Sequence, residues 1–461
     1  MLARPHEPSP CAPTTGGAPH ARGRSLSTML SRDARWCALV VLAGVLVRVF
    51  VSWASSWGEQ LVDRPELATP MDRLALLRET QYLLTVLNVP AKVLWRSNGL
   101  HHSPLLLKLP APWLADPWTS ACAWIALDAV SGVVLAALAS TLARRAERHV
   151  YIVPAFVAAC FLLNPYAIAA CAAKSMSQLR TCLTLLALLG AVHGVSLLVA
   201  TAQALSTVLF MNPLCVTPAL LLLGADAHAQ YGRWRARFGQ RQSDAWSQWL
   251  RRTSVRYAGW LGVFLVLSAL YSRDSTLSFV RSVYGSRLLV DDLSPNAGLV
   301  WYFFVEMFPH FRAFFTMVVN LHTLSYTVPA LIKWRSDPLF AATVLVGIHA
   351  LFQTYPSAGD SALYLALWSL NYPRLSAYLR YPMVTSMLFL YSALLFPAFH
   401  YLWLYTGSAN ANFFYAVNLV QALGLGSLLL DSVWAWGRER WELERLAQGA
   451  SRPGVRYVVQ R

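Results

Sequence analysis

The segment WYFFVEMFPHFRAFF, residues 301–315, sets one carboxylate, Glu306, among eight aromatic rings. Rings with an apolar face and a polar edge settle at the headgroup level of a bilayer, which accounts for Trp301, Tyr302, Phe304 and Phe308 but not for the acid. A carboxylate at membrane depth needs a proton, a cation or hydrogen-bond donors, and acids placed there are functional candidates by default. If one helix starts near Gly298, Glu306 lies eight residues into it, roughly 12 Å deep at about 1.5 Å per residue. Three readings stand side by side: an interfacial aromatic belt, a lipid-headgroup site, and a contact for a neighbouring subunit. Asn296 before the segment and His310 within it extend the candidate set. Two small polar turns between apolar runs add to it. YPSAGDSALY (355–364) carries Tyr355 and Asp360, and LYTGSANANFFYA (404–416) carries Ser408, Asn410, Asn412, Phe413 and Phe414. Their hydroxyls and amides can follow a sugar or a phosphate, or simply make turns, with Asn410 or Asn412 capping the last helix.

Other chemistries find less support. Glu59, Asp63, Glu66, Asp72, Glu79 and Asp116 are spread along residues 58–116 with no DxD or ExD pair to serve as base and metal ligand. The histidines of HHSP (101–104) point apart on any regular backbone, and no third ligand is evident, so a metal is rejected. The seven cysteines occur singly, without CxxC or a positioned His, and read as free, buried thiols. No GxSxG elbow appears.

The elements that must position these groups are membrane helices. The chain has 461 residues, 56% of them hydrophobic, 13% charged, and a mean hydropathy of +0.43, far more apolar surface than a water-soluble fold could bury. Long apolar runs near 36–57, 117–143, 150–173, 178–199, 298–333, 382–405 and 412–436 and shorter ones near 200–211, 213–224, 257–271, 339–354 and 361–374 give an all-α polytopic protein of about twelve transmembrane helices. The Arg-rich segment 225–256 reads as cytosolic by the positive-inside rule. With Asn212-Pro213 breaking one run in two, both termini come out cytosolic. The +16 formal charge is dispersed over short loops, reports topology, and does not form a nucleic-acid-binding face. Residues 1–35 read as a disordered basic tail, 36–437 as the transmembrane domain, and 438–461 as a second cytosolic tail. The 58–116 loop reads as luminal, with an interfacial amphipathic helix in MDRLALLRETQYLLTVL. Only Arg48 and Arg312 are counted inside spans. Arg48, 12 residues in from the cytosolic start of its span, and Asp128, 15 residues from the cytosolic end of the next, lie at roughly 18 and 22 Å, close enough for a structural ion pair.

Four blocks, LSPNAGLVWYFFVEMFPHF (293–311), TYPSAGDSALY (354–364), WLYTGSANANFFYA (403–416) and LLNPYAIAACAAKS (162–175), resemble the PIG-U family, a multispanning subunit of the glycosylphosphatidylinositol (GPI) transamidase. The likeness runs from about residue 36 to about 437. It implies an endoplasmic reticulum membrane complex that exchanges a C-terminal peptide signal for a GPI anchor. The chemistry is expected in a caspase-like cysteine protease of the PIG-K type, with further subunits of the PIG-T, PIG-S and Gaa types. This chain would be a non-catalytic subunit that holds or presents the glycolipid and uses no cofactor. The resemblance also implies a fold similar to the multispanning ER mannosyltransferases of the GT-C type. Those enzymes use polyprenol-phosphate sugars, and a glycosyltransferase using Asp72 or Glu79 is the alternative. The family's pattern reads His-Glu-Thr-Pro where this chain has His101-His102-Ser103-Pro104, so the acid of that motif is replaced here.

Overall fold

The computed structural model describes residues 26–54, 57–97, 99–108, 116–145, 152–235, 242–272 and 277–448. Among them every regular element is helical. Proline opens many of these helices (Pro117, Pro154, Pro165, Pro309, Pro338 and Pro382), because its missing N–H costs nothing at a first position and its fixed φ suits the turn. Polar caps satisfy other exposed N–H groups. Asp337 accepts from Phe340 N at 3.2 Å and Asn410 from Asn412 N at 3.0 Å.

Six helices are long and apolar enough to cross a bilayer: Asp33–Trp53, Pro117–Arg145, Asp244–Ser272, Pro309–Lys333, Pro382–Leu404 and Ala411–Ala447. The pair Pro154–Leu162 and Pro165–Ala172, bent by 49° at Asn164-Pro165, makes a seventh if it is one broken span. Shorter apolar helices cover Ser196–Phe210, Leu214–Ala229 and Pro338–Phe352. The chain is therefore a multi-pass membrane protein. On the first span Leu39, Leu42, Leu46, Phe50 and Trp53 face outward at helical spacing, the stripe that hydrocarbon takes up. Helices Ser177–His193 and Ser196–Phe210 double back on each other through Gly194, whose φ of +69° is the left-handed C-cap that favours glycine.

Several boundaries differ from the sequence reading. The first helix is already formed at Leu26, so the tail assigned to 1–35 overlaps it, and the last helix runs on to Ala447. Much of the basic 225–256 segment is helical, in Thr217–Arg235 and Gln242–Ser272. The run 298–333 is not one helix. Val300–Glu306 stops, Met307 and Phe308 are extended, and a new helix starts at Pro309, because proline drives the preceding residue out of the helical region. Cys171 and Cys182 are buried free thiols as expected, whereas Cys122 is exposed.

The 58–116 segment folds into short helices Trp57–Val62, Leu74–Thr85, Ala91–Arg96 and Pro104–Lys108 that cap the bundle. Leu74, Leu77, Trp95, Leu100 and Leu105–Leu107 pack on Trp124, Met176, Phe210 and Phe279. Backbone bonds also tie it down, from Met176 N to Asp72 O at 3.0 Å and from Ala358 N to Glu66 O at 2.9 Å.

Candidate functional site

Helix Val300–Glu306 buries three residues, Val300, Trp301 and Phe304, which divide between two clusters. Phe304, with Val300, packs on Met71, Val290 and Tyr355. Trp301 packs with Phe396, Phe414 and Val417. The loop that enters this helix is held from outside: Asn418 Nδ2 donates to Asn296 O at 2.8 Å and Gly298 O at 2.9 Å, and Asn296 Oδ1 accepts from Gly298 N at 2.7 Å. A Cβ at Gly298 would sit 2.6 Å from Pro356 Cδ, so only glycine fits there.

On the Trp301 side the rings form a connected surface. Trp301 lies edge-on to Tyr302 at 5.4 Å and Tyr415 at 5.9 Å, and Tyr302 stacks on Tyr415 at 4.6 Å. Phe414 is enclosed by Phe396 at 5.5 Å and Trp403 at 5.9 Å, while Phe413 stacks on Phe399 at 5.6 Å and remains half exposed. The Tyr302 hydroxyl donates to Asn412 Oδ1, with the Glu306 carboxylate beside it. Glu306 is exposed and makes no ion pair with any described residue. The Trp301 indole N–H is buried without a partner. Behind Phe396 a cavity of about 130 Å³ reaches Tyr166, Arg64 and Glu66. There Arg64 and Glu66 pair, and Arg64 Nε and Glu66 Oε2 are left without partners. Burial pushes the Glu66 carboxyl above its ordinary range, against the pull of Arg64.

The Phe304 side is polar and closed. Asp72 takes Arg180 at 3.2 Å and Arg287 at 3.2 Å, and Arg180 reaches Asp360 at 2.6 Å. Asp360 also closes a capping box with Ser357, accepting from its N–H at 2.9 Å and its hydroxyl at 3.1 Å. Burial alone would raise the Asp72 pKa, but Arg180 and Arg287 together outweigh it and hold the carboxyl below its ordinary value. His102 lies beside this group, and burial pushes its pKa down to about 4 against the opposing pull of Asp72. Neither ring nitrogen of His102 has a partner, nor have Nε and Nη1 of Arg287.

Of the residues singled out from sequence, Asn296, Trp301, Tyr302, Glu306, Asn412, Phe413 and Phe414 come together on the aromatic face. Phe304 and Tyr355 belong to the adjoining cluster, where the Tyr355 hydroxyl donates to Asp292 O at 2.7 Å, and Asp360 belongs to the arginine network. Phe308 and His310 are exposed beyond the helix break, and the Ser408 hydroxyl meets that of Thr406, at 2.7 Å, in the exposed turn that leads to the Asn410 cap. The placement of Glu306 at roughly 12 Å down a continuous helix is corrected, since Glu306 ends a seven-residue helix at its broken edge. Arg48 Nε meets Asp128 Oδ2 at 2.6 Å with both side chains buried, and the same guanidinium donates to Gly44 O at 3.1 Å and Leu162 O at 2.6 Å.

A family model described as the GPI transamidase subunit PIG-U matches residues 42–421, a stretch that holds both sides of this site. The chain belongs to the PIG-U family. The Homo sapiens GPI-anchor transamidase component PIGU is 31% identical over 426 residues, which cover 88% of this chain and 94% of that protein. The Schizosaccharomyces pombe GPI transamidase component GAB1 homolog is 28% identical over 401 residues, 85% of this chain and 92% of its own length. The Saccharomyces cerevisiae component GAB1 matches at 36% over 196 residues, 42% of this chain and 50% of its own. In this PIG-U family member the arginine network went unread in the sequence. Arg180, which the sequence reading leaves outside the spans, is buried in the first turn of Ser177–His193. A lone cation at the head of an apolar run was the available signal, as were Asn418 and Gln421, two amides within the apolar stretch of the last helix.

Proposed function

We propose that this chain is a non-catalytic GPI transamidase subunit that binds the GPI glycolipid and presents it for attachment to the C-terminus of secretory proteins. The observation that carries the reading is the aromatic face of Trp301, Tyr302, Phe413 and Tyr415, with an exposed carboxylate unpaired by any described cation at its edge. A GPI anchor combines acyl chains, a phosphoinositol and a sugar chain ending in ethanolamine phosphate. Ring faces suit sugars and acyl chains, and Glu306 suits the cationic amine or a hydroxyl. The cavity behind Phe396 offers room for an apolar chain beside the Arg64–Glu66 pair.

In this reading the bundle crosses the ER membrane twelve times in a mannosyltransferase-like arrangement with both termini cytosolic. The shorter helices Ser177–His193, Ser196–Phe210, Leu214–Ala229, Pro338–Phe352 and Ala358–Leu375 join the seven longer units as spans, and Glu306 faces the lumen. The partner that cuts and joins the peptide is a caspase-like protease of the PIG-K type, beside subunits of the PIG-T, PIG-S and Gaa types. A glycosyltransferase built on Asp72 is disfavoured because each Asp72 oxygen already accepts from an arginine, leaving no free base. Glu306→Gln tests the lipid role: GPI attachment to a reporter should fall about tenfold or more while the assembled complex is recovered in full, as loss of one charge-assisted contact implies. Loss of assembly would instead make Glu306 a subunit dock, and normal attachment with normal assembly would remove it from function.

A further inference from the structure

A second cavity, of about 580 Å³, opens among helices Leu74–Thr85, Ala91–Arg96 and Pro104–Lys108 and the C-terminal end of the spanning helix Asp244–Ser272. It shares no residue with the aromatic face. Two of the chain's four lysines, Lys92 and Lys108, line it, and neither ammonium has a partner among the described residues. Gln81 and Asn88 add amide donors, Tyr271 a hydroxyl, and no Asp or Glu is among the lining residues. The Trp95 ring is buried at the wall with its indole N–H unpartnered, a donor left without an acceptor. Ser272 ends a span, so the cavity lies at one membrane boundary. Beside it Tyr82, Val86, Leu87 and Val93 are exposed large apolar residues, although the same helix buries Leu74 and Leu77 on the bundle side. An apolar fringe at the membrane edge next to a pocket of donors and two cations matches an amphiphile with an anionic head.

We propose that this cavity binds the phosphate-bearing headgroup of an anionic phospholipid. Lys92 and Lys108 meet the phosphate as point charges, the Gln81 and Asn88 amides and the Trp95 N–H reach its oxygens, and the acyl chains lie against the apolar fringe. The site is separate from the GPI face, so either assignment can fail without the other.

Lysine-directed acylation read by mass spectrometry tests it on the full chain in its assembled complex, with Lys333 as the internal control. In nanodiscs of phosphatidylcholine with phosphatidylinositol, Lys92 and Lys108 should label about fivefold more slowly than in phosphatidylcholine alone, the ratio that about 1 kcal/mol per lysine gives, while Lys333 is unchanged. A Lys92→Ala/Lys108→Ala variant should retain at least about tenfold less phosphatidylinositol through purification, and Trp95→Phe about threefold less. Equal protection by millimolar inorganic phosphate in neutral nanodiscs would reassign the cavity to a soluble anion and overturn the lipid proposal. Lysines unlabelled even in neutral nanodiscs, or labelled alike in both, would also overturn it.

Discussion

At Asp72 both carboxylate oxygens are taken, Oδ1 by Arg287 and Oδ2 by Arg180, and no part of the side chain meets solvent. At Glu306 the carboxylate stands exposed beside a tyrosine hydroxyl and pairs with no described cation. Both acids flank the helix Val300–Glu306 and both interrupt apolar surroundings, yet the first is satisfied wholly from within and the second is not. A buried carboxylate with two guanidinium partners fixes the elements that carry it: here the 58–116 cap, helix Ser177–His193 and the segment that holds Arg287. An exposed carboxylate at the rim of stacked rings costs the fold nothing and remains free for a partner. The difference separates a clasp from an open face by the accounting of hydrogen bonds alone.

The largest expected effect belongs to the clasp. Arg180→Leu leaves Asp72 with one partner and Asp360 with only its capping box, both in dry surroundings, and removing one member of a buried ion network costs about 3–5 kcal/mol. Thermal unfolding of the solubilised complex should show a markedly lower midpoint, while Glu306→Gln at the open site should leave the midpoint in place. Equal midpoints for wild type and Arg180→Leu would erase the distinction between the two regions.

How much of this was legible in the sequence follows from the range over which each interaction is written. Arg48 and Asp128 were paired in advance because each stands alone in a long apolar run, and depth along a helix is simple arithmetic. The aromatic blocks were visible as composition, and Tyr302 does meet Asn412, and Trp301 Phe414, across more than a hundred residues. The Asp72 network was not legible, because its four members come from a turn of the cap, the short helix Ser286–Leu289 and the first turns of two helices, and no periodicity links those places. The break at Met307–Phe308 was written plainly in Phe308-Pro309 but was overridden by the apolar length of 298–333. The spacing of HHSP argues against a metal but does not reveal the burial beside Asp72 and Arg287 that gives His102 its character.

His102 supplies the next effect, and its sign is fixed. Its native pKa, about 4, lies below the unfolded value near 6.5, so the unfolded chain binds a proton first as pH falls. Stability is complete above about 6.5 and drains away toward 4, by on the order of 3 kcal/mol. Asp72, whose pKa is depressed, loses its own contribution only at lower pH. Glu66, raised by burial, works in the opposite direction but equally in both proteins compared. His102→Gln should therefore flatten the unfolding midpoint against pH between 6.5 and 4, and an unchanged slope would mean that the ring is hydrated and outside the clasp. His102→Glu, which restores the acid of the family's motif, should bring a carboxylate to the unpaired Nε and Nη1 of Arg287 and leave the midpoint at neutral pH equal or higher.

The smallest effect on stability is expected at Tyr302→Phe, and it divides the open site most finely. The substitution keeps the ring stacked on Tyr415 at 4.6 Å and removes only the hydroxyl that donates to Asn412 beside Glu306. Asn412 is then free to bond water, so nothing is stranded and stability should change by less than about 0.5 kcal/mol. If the hydroxyl positions Glu306 for a ligand, GPI attachment to a reporter should still fall several-fold in a complex that assembles and melts normally. A variant with normal attachment would show that the hydroxyl only steadies the start of the last helix, and Glu306 would then have to recognise its partner unaided. A drop in stability like that of Arg180→Leu would mean that this face, too, is a clasp, and the contrast with Asp72 would fail.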